Sequence, residues 1–301
     1  MRGFPVVAKR VLAQGVTLLE VEAPRVARKT LAGQFVMVRL DEQGERIPLT
    51  IAERHPEKGT IAIVFQAVGF TTRQLARLEV GDSLADVLGP LGRPTEVRRH
   101  GRVVCVAGGV GIAYIYPEIE AFSEAGNEIL SILGARTRDL LFYLREIEAL
   151  SSQVHLASDD GSVGHHGLVT EVLKNLIERG EHYDYCIAIG PIPMMRATVA
   201  LTKQYRLPTL VSLDPVMVDG TGMCGSCRVT VGGEVKFACV DGPDFDGHLV
   251  DFDELAKRKL AFREEEARCR LEEAAEELAQ DADREHSSHP TSVEAENDRE
   301  A

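Results

Sequence analysis

A chain of 301 residues is long enough for two or three domains with a sizeable core. Its formal net charge of −13 argues against a nucleic-acid partner, since phosphate binding needs a basic surface. No apolar run approaches the about 20 residues that span a bilayer, so we expect a cytoplasmic protein with no membrane partner.

The first part of the chain, residues 1–98, alternates short β-branched runs with Gly, Pro or charged turns. This pattern is typical of antiparallel strands that close into a small barrel. One helix is predicted over Thr72 to Leu78. The predicted strands are Phe4 to Leu12, Val16 to Glu22, Phe35 to Leu40, Ile47 to Ala52, Thr60 to Gln66 and Ser83 to Leu88.

Three stretches of this barrel stand out. In Arg46-Ile47-Pro48-Leu49-Thr50, residues 46, 48 and 50 share one side of a strand, where a cation and a hydroxyl could hold a phosphate and a polar ring edge. Gly69-Phe70-Thr71-Thr72 opens a helix, so its free N–H groups and two hydroxyls form an anion site. Gly89-Pro90-Leu91-Gly92 is predicted to be a closing turn. The alternatives are a surface ion pair, a capping Thr and a plain turn.

From residue 99 to 215 the pattern changes to apolar strands that alternate with helical stretches. This alternation predicts a parallel sheet with crossover helices. The predicted strands are Val103 to Ala107, Ile129 to Gly134, Val154 to Ala157, Cys186 to Ile189 and Thr209 to Leu213, and the helices are 112–124, 143–150, 167–179 and 193–204.

Glycines follow the first of these strands. Gly108-Gly109-Val110-Gly111 stands between strand and helix, where a pyrophosphate could meet a helix N-terminus, although a tight structural turn is the alternative. Because the carboxyl ends of parallel strands carry the ligand crevice, the later strand ends join this candidate site. Arg136 and Arg138 could face a ribose 2′-phosphate or merely pair with Asp139. The later strand ends contribute Gly134, Ala135, Arg136, Asp159, Gly190, Pro191 and Met194.

A loop with metal-ligand spacing occupies residues 216–250. Asp219, Cys224, Cys227 and Cys239 follow the C-x4-C-x2-C…C pattern of plant-type two-iron two-sulfur proteins, with Asp in the first place. The fourth ligand returns on a hairpin, with strands Arg228 to Val231 and Glu234 to Ala238 around the turn Gly232-Gly233. A structural zinc site and free thiols are the alternatives.

The other cysteines lack such spacing. Cys105 and Cys186 lie in apolar strands and are interpreted as buried thiols, and Cys269 lies in a charged helix. That helix is predicted from about Asp253 to Ala279, within a final region of residues 251–301. Residues 281–301 lack an apolar period and are predicted to be disordered.

The order of these parts resembles the ferredoxin reductase-like flavoproteins with an appended iron–sulfur hairpin. The motif from Val218 to Cys227, with Phe237 to Pro243, looks like that of the small subunits of NADH-dependent reduced ferredoxin:NADP⁺ oxidoreductases, also described as sulfide dehydrogenase small subunits. Those subunits have Asp as a ligand, as at Asp219. The related electron-transfer subunits of dihydroorotate dehydrogenase have Cys there.

The resemblance implies three cofactors, namely FAD in the barrel, NAD(H) on the parallel sheet and a 2Fe-2S cluster on the hairpin. It places Arg46 near the flavin phosphates, Thr50 near the flavin ring and Thr71-Thr72 at the pyrophosphate. The flavin candidates are Arg46, Pro48, Leu49, Thr50, Phe65, Gly69, Thr71 and Thr72. The nucleotide candidates are the strand-end residues given above together with Gly108, Gly109, Val110 and Gly111. The metal candidates are Asp219, Cys224, Cys227 and Cys239.

Three positions depart from the family pattern. The Gly-x-Gly-Thr phosphate turn reads Gly69-Phe70-Thr71-Thr72, so one backbone contact changes. Ile189 stands where a Cys often precedes Gly-Pro, so no thiol lies beside the nicotinamide. Tyr114 follows Gly-Ile-Ala where Pro is frequent, and its ring would alter the nucleotide pocket.

The resulting expectation is an oxidoreductase subunit that needs no catalytic acid or base, because the cofactors carry hydride and electron transfer. The resemblance implies a larger flavin and iron–sulfur partner subunit that binds NADP(H) and ferredoxin, in a complex that performs electron bifurcation. The alternatives are a stand-alone NADH reductase, an electron-transfer subunit for dihydroorotate oxidation and a non-catalytic zinc module. Sequence leaves the preference between NAD and NADP open.

Overall fold

Antiparallel strands form a nearly closed barrel. They are β1 (Phe4–Ala13), β2 (Val16–Glu22), β3 (Phe35–Arg39), β4 (Arg46–His55), β5 (Thr60–Gln66), β6 (Ser83–Leu84) and β7 (Asp86–Leu91), with helices α1 (Pro24–Ala27) and α2 (Phe70–Arg77). The sheet order is β6-β1-β2-β5-β4-β3-β7. Because β6 and β7 are adjacent in the chain yet pair with opposite edges of the sheet, they draw those edges together. The predicted antiparallel barrel is confirmed.

The central barrel strands are buried on both faces. Leu19 and Phe65 point into the barrel core, whereas Leu18 and Val64 belong to a second buried cluster with Ile115 of α3 (Gly111–Glu124). Side chains alternate along a strand, so one face fills the barrel and the other packs on the helix. This contact packs the barrel against helix α3.

The second sheet is parallel and built on crossover helices. Its strands are β8 (Arg102–Gly108), β9 (Glu128–Ala135), β10 (Gln153–Ser158), β11 (His165–His166), β12 (Tyr185–Ile189) and β13 (Thr209–Ser212), and the other helices are α4 (Leu144–Leu150), α5 (Val169–Glu178) and α6 (Ile192–Gln204). The order β11-β10-β9-β8-β12-β13 reverses direction at β8. Such a switch point between β8 and β12 opens a ligand crevice at the carboxyl ends of the strands.

A carboxyl-terminal module follows β13 and joins the parallel sheet. It contains β14 (Arg228–Val231), β15 (Glu234–Phe237), α7 (Ala238–Asp241), β16 (Asp244–Asp246) and α8 (Phe252–Lys259). Gly232 and Gly233 have φ values of 63° and 79°, as a tight hairpin turn requires, so the predicted hairpin is confirmed. Strand β16 pairs antiparallel with β13 and extends the sheet.

Three local predictions were wrong. The predicted strand from Ser83 to Leu88 is two strands, and the predicted turn Gly89–Gly92 is largely part of β7, because Leu91 pairs with Phe35 of β3. The second hairpin strand ends at Phe237, so Cys239 lies on the short helix α7 instead of directly after a strand. Strand β16 was not predicted.

The computed structural model describes residues 3–261 and 267–268. The elements named above belong to one compact unit that ends at Leu260. Of the helix predicted from Asp253, the structure describes α8, while its continuation toward Ala279 and the predicted disorder of 281–301 lie outside the described residues. In the described part of the chain, no helix is both long and apolar enough to cross a membrane.

Candidate functional site

The candidate nucleotide crevice lies where β8 and β12 end. Gly108 closes β8 and Gly190 follows β12, and a methyl group on either glycine would collide with Met194. On Gly108 it would lie 2.7 Å from Met194 Sδ, and on Gly190 it would lie 2.9 Å from Met194 Cε. The missing Cβ atoms thus leave room for the side chain of Met194, which a ligand would have to displace to approach the main chain of both strand ends.

Helix α3 begins inside this crevice. A methyl group on Gly111 would lie 2.4 Å from the carbonyl oxygen of Ile189, so the first turn of α3 packs on the backbone of β12. Gly109 has a φ of 57°, and its N–H donates to the carbonyl of Gly134 at 2.9 Å. The turn thereby joins three strand ends at the N-terminus of a 14-residue helix. The N–H groups of Ile112 and Ala113 donate to the carbonyls of Gly109 and Val110, so a pyrophosphate would use the remaining N–H groups of the turn.

The later strand ends meet at the same edge. Ala135 ends β9, and its carbonyl accepts from the N–H of Asp159 at 3.2 Å. Arg136 is exposed there, and in the described part of the chain no ion pair joins Arg136 or Arg138 to Asp139. Pro191 precedes α6, and its carbonyl accepts from the N–H of Met194 at 2.9 Å. The structure thus brings together all the nucleotide candidates.

The barrel candidates lie on β4 and α2. Arg46 is paired with Asp86 at 2.7 Å and keeps 43% of its side chain exposed. Thr71 Oγ1 donates to Glu45 Oε1 at 2.5 Å. Thr72 Oγ1 accepts from the N–H of Gly69 at 3.0 Å, which caps α2. These polar groups are held by the protein itself, so ligand binding would compete with these contacts.

Two barrel candidates have buried side chains. Leu49 is 6% exposed and Phe65 is 1% exposed, and both belong to the barrel core. Contact with a flavin would therefore depend on their main-chain atoms. Their assignment stays a prediction.

Tyr114 connects the crevice to the barrel. Its hydroxyl donates to the carbonyl of Val64 on β5 at 3.2 Å, and burial raises its pKa. The ring lies one turn after Gly111, where the family pattern has Pro. The tyrosine therefore ties the nucleotide turn to a barrel strand.

The loop that carries the metal candidates folds back on itself. Gly220, Gly222 and Gly225 have φ values of 72°, 84° and 71°, which side chains rarely adopt. Asp219 accepts hydrogen bonds from the N–H of Thr221 at 2.8 Å and of Cys224 at 2.7 Å. The N–H of Thr221 is the main cause that lowers the pKa of Asp219. The carboxylate is thus held ionised beside Cys224.

The four candidates form two pairs. Cys227 and Cys239 are each 2% exposed, and their sulfur atoms lie 3.2 Å apart. Asp219 and Cys224 form the outer pair, with Cys224 exposed. Among the described residues, no three His, Cys, Asp or Glu side chains converge as ligands of a single metal ion. Two pairs of ligands are the arrangement expected for a two-iron cluster, in which each iron takes two protein ligands.

The thiols differ in their protonation. The N–H of Ser226 is the main cause that lowers the pKa of Cys224, whereas burial raises the pKa of Cys239 to about 12. Arg258 of α8 donates to the carbonyl of Ser226 at 3.0 Å and holds this side of the loop. The exposed thiol is therefore the more reactive one.

A buried polar cluster was missed by the sequence analysis. Thr95, Glu118 and Asp244 come together from the connection before β8, from α3 and from β16. Glu118 occupies the apolar stripe of α3 together with Ile115 and Phe122. A carboxylate at a position where the helical period requires an apolar side chain is a signal that could have revealed it.

Comparisons with known proteins agree on one family. Residues 214–251 match the iron-sulfur cluster binding domain of dihydroorotate dehydrogenase B, and residues 105–200 match the oxidoreductase NAD-binding domain. A Thermotoga maritima protein, a homolog of the dihydroorotate dehydrogenase B (NAD(+)) electron transfer subunit, is 48% identical over 261 residues. This match covers 87% of this chain and 92% of the relative.

Two solved structures are similar to this chain. The NADH-dependent reduced ferredoxin-NADP oxidoreductase, studied for flavin-based electron bifurcation, contains a chain with 46% identity and a TM-score of 0.84. The match covers 89% of this chain and 96% of that one. The ferredoxin reductase in carbazole 1,9a-dioxygenase, at 24% identity and a TM-score of 0.57, shares the fold over 68% of this chain and 65% of its own.

Proposed function

Because this chain belongs to the family of dihydroorotate dehydrogenase B electron-transfer subunits and their homologues, it is a redox subunit of an oxidoreductase, and we propose that it passes electrons between NAD(H), FAD and a 2Fe-2S cluster. When bound, FAD takes the electron pair of a hydride and the cluster takes single electrons. The protein supplies the binding sites and fixes their spacing. No side chain is needed as acid or base.

One contact carries this proposal. A methyl group on Gly220 would lie 2.6 Å from Cγ of Met37 and 3.0 Å from Cδ1 of Leu91, so the cluster loop packs tightly on the barrel. Met37 lies opposite Pro48 in the pairing of β3 with β4. The cluster loop therefore lies over β3, on the same face of the sheet that bears Arg46 and Thr50 on the neighbouring strand β4. Electron transfer between a flavin on that face and a cluster in the loop needs this proximity.

The candidate ligands have defined roles. The turn from Gly108 to Gly111 would hold the pyrophosphate of NAD(H), and Arg46 would exchange its ion pair with Asp86 for the flavin phosphates. Asp219 with Cys224 would bind one iron, and Cys227 with Cys239 the other. A carboxylate donates less electron density than a thiolate, so Asp219 would tune the cluster potential.

The homologues are electron-transfer subunits of larger assemblies, so this chain has a larger partner subunit. We propose that this partner carries flavin and iron–sulfur groups, binds NADP(H) and ferredoxin, and performs electron bifurcation with this chain. Exposed apolar side chains lie beside and within the cluster loop, with Val218 53% and Met223 87% exposed. Such side chains are suited to a protein interface. A second candidate function is electron transfer with a subunit that oxidises dihydroorotate, which the name of the Thermotoga relative favours.

Anaerobic purification of the complete chain tests the proposal. We expect this chain to account for about one flavin, two iron and two acid-labile sulfide, a flavin band that NADH bleaches, and a co-purifying larger subunit whose own groups add to these totals. Assays of the complex with NADP⁺ plus ferredoxin, and with dihydroorotate, separate the two candidates. Zinc in place of iron and sulfide would contradict the cluster assignment.

A further inference from the structure

Three side chains from three parts of the fold share one hydroxyl group. Thr95 Oγ1 lies 2.7 Å from Oε1 of Glu118 and 2.5 Å from Oδ2 of Asp244. Thr95 belongs to the connection between barrel and parallel sheet, Glu118 to α3, and Asp244 to β16. The barrel covers them with Gly33, where a methyl group would lie 2.2 Å from Thr95 Oγ1. This triad therefore lies where all three modules meet.

Glu118 is shielded from water, with 0% of its surface exposed, whereas Asp244 is half-buried beside a small cavity. Among the described residues, Glu118 Oε2 and Asp244 Oδ1 are buried atoms without a hydrogen-bond partner at normal distance, although the hydroxyl of Ser212 on β13 lies near enough to Asp244 to favour its ionised form. Within the same part of the chain, no Lys, Arg or His forms an ion pair with either carboxyl group. Two ionised carboxylates in such a place would repel each other at low dielectric.

The hydrogen atoms available to these contacts also indicate that one of the two carboxyl groups is protonated. A threonine hydroxyl has one hydrogen, and an ionised carboxylate has none. Two short contacts to Thr95 Oγ1 therefore require a second hydrogen, which must belong to a carboxyl group. The contact to Asp244 is the shorter one, as expected when a hydroxyl donates to an ion. Glu118 would then donate to Thr95.

We propose that Glu118 is protonated at neutral pH and donates through Thr95 to ionised Asp244, and that this relay positions the iron–sulfur module on the barrel and parallel sheet. The positioning residues act through β16, which begins five residues after Cys239 and pairs with β13. The peptide N–H of Arg93, two residues before Thr95, also donates to the carbonyl of Gly242. The consequence for electron transfer rests on the proposed function, whereas the relay itself does not.

The pH dependence follows from the surroundings of the pair. Burial raises the pKa of Glu118 well above its usual range and that of Asp244 to about 6. Both folded values exceed the unfolded ones, so the contribution of the pair to stability is full below the unfolded pKa. It falls as pH rises above the unfolded values: the part from Asp244 is lost by about pH 6, and the part from Glu118 keeps falling until Glu118 itself ionises at higher pH.

Other titratable groups around the pair come from every neighbouring element. Cys105 of β8 and Tyr185 of β12 feel the charge of the pair, as burial already raises the pKa of each. Asp246 lies on β16 itself. Across the adjacent cavity the connection contributes Arg93, Arg98 and His100, of which Arg98 pairs with Glu96 and Arg93 with Asp241.

Infrared spectroscopy of the complete chain tests the protonation directly. At about pH 7.5 we expect the carbonyl stretch of one protonated carboxyl group, shifted in D₂O and lost in Glu118→Gln. Glu120→Gln, on the same helix, should keep the band. Absence of the band in the unaltered chain, or its survival in Glu118→Gln, would overturn the proposal. The measurement needs no cofactor, so failure of the proposed function would leave its result unaffected.

Hydrogen exchange of β13 and β16 tests the positioning role. Thr95→Val should speed their exchange by about tenfold at neutral pH, and Thr95→Ser, which restores the hydroxyl, should return it to the original rate. Glu118→Gln keeps a hydrogen-bond donor but has no group that titrates. The ratio of the exchange rate in the unaltered chain to that in Glu118→Gln should therefore increase as pH rises. A ratio that stays constant with pH contradicts the relay, even if Thr95→Val fails to fold.

In the loaded chain, transfer of electrons from NADH-reduced flavin to the cluster should follow the same pH profile. Glu118→Gln should remove the alkaline decline without changing the KM for NADH. A decline that remains in Glu118→Gln would assign the pH dependence to another group and overturn the positioning role in electron transfer.

Discussion

Gly111 offers the sharpest test of the nucleotide crevice. Alanine usually stabilises a helix by about 1 kcal/mol relative to glycine. In Gly111→Ala, however, the new methyl group would lie 2.4 Å from the carbonyl oxygen of Ile189 and 2.8 Å from Cα of Gly190. Both are backbone atoms, which cannot rotate away as a flexible side chain could. The helix must therefore move from the strand by about 1 Å to restore van der Waals contact.

The size of the effect follows from that displacement. Overpacking costs about 1–3 kcal/mol, partly offset by the helix preference of alanine. A shift of about 1 Å at a reacting site lowers rates by up to about 100-fold. We therefore expect kcat/KM for reduction of the bound flavin by NADH to fall by about 10- to 100-fold, while stability falls by about 2 kcal/mol or less.

Gly126→Ala, just beyond the other end of α3, is the matched control. Gly126 has a φ of 82°, and the nearest atom to a methyl group there would be Arg99 Nε at 3.9 Å. The left-handed conformation costs about 1–2 kcal/mol for alanine, so the stability of the two variants should be similar. Stopped-flow reduction by NADH and urea unfolding measure the two quantities. If Gly111→Ala reduced its flavin as fast as Gly126→Ala, the packing of α3 on β12 would not define the nucleotide site.

Three further predictions concern the loop and the domain contact. Asp219→Cys should lower the cluster potential by on the order of 100 mV and alter the visible spectrum, because a thiolate donates more electron density than a carboxylate. An unchanged potential would remove Asp219 from the ligand set. In the metal-free chain at about pH 7.5, iodoacetamide should modify exposed Cys224 well before Cys239, since the pKa of Cys224 is lowered and that of Cys239 is raised to about 12; peptide mass spectrometry would expose an opposite order. Tyr114→Phe should cost about 1 kcal/mol in urea unfolding with unchanged flavin content, because the hydrogen bond to Val64 is lost, and an unaltered midpoint would mean that this bond contributes nothing.

Local patterns were sufficient for much of this molecule. The apolar runs predicted both sheets because a buried strand needs several consecutive or alternating apolar residues. The hairpin was predicted because Gly232-Gly233 permits the positive φ values that the turn requires. The spacing from Asp219 to Cys239 predicted the candidate ligand loop, since the spacing of metal ligands is itself a local property. The nucleotide turn was predicted because its glycines are adjacent in the chain, which is also a local property.

Contacts between distant segments were decided by the tertiary structure. Nothing local marks Asp244–Asp246 as a strand, because three residues with one apolar side chain have no period, and β16 forms only where β13 offers a free edge. The division of residues 83–88 between two strands likewise depends on which barrel edges lie nearby. Sequence also left Glu118, Thr95 and Asp244 unconnected. Their shared hydroxyl exists because packing buries all three together, and the free energy of a buried charge depends on its neighbours in space, which chain order does not specify.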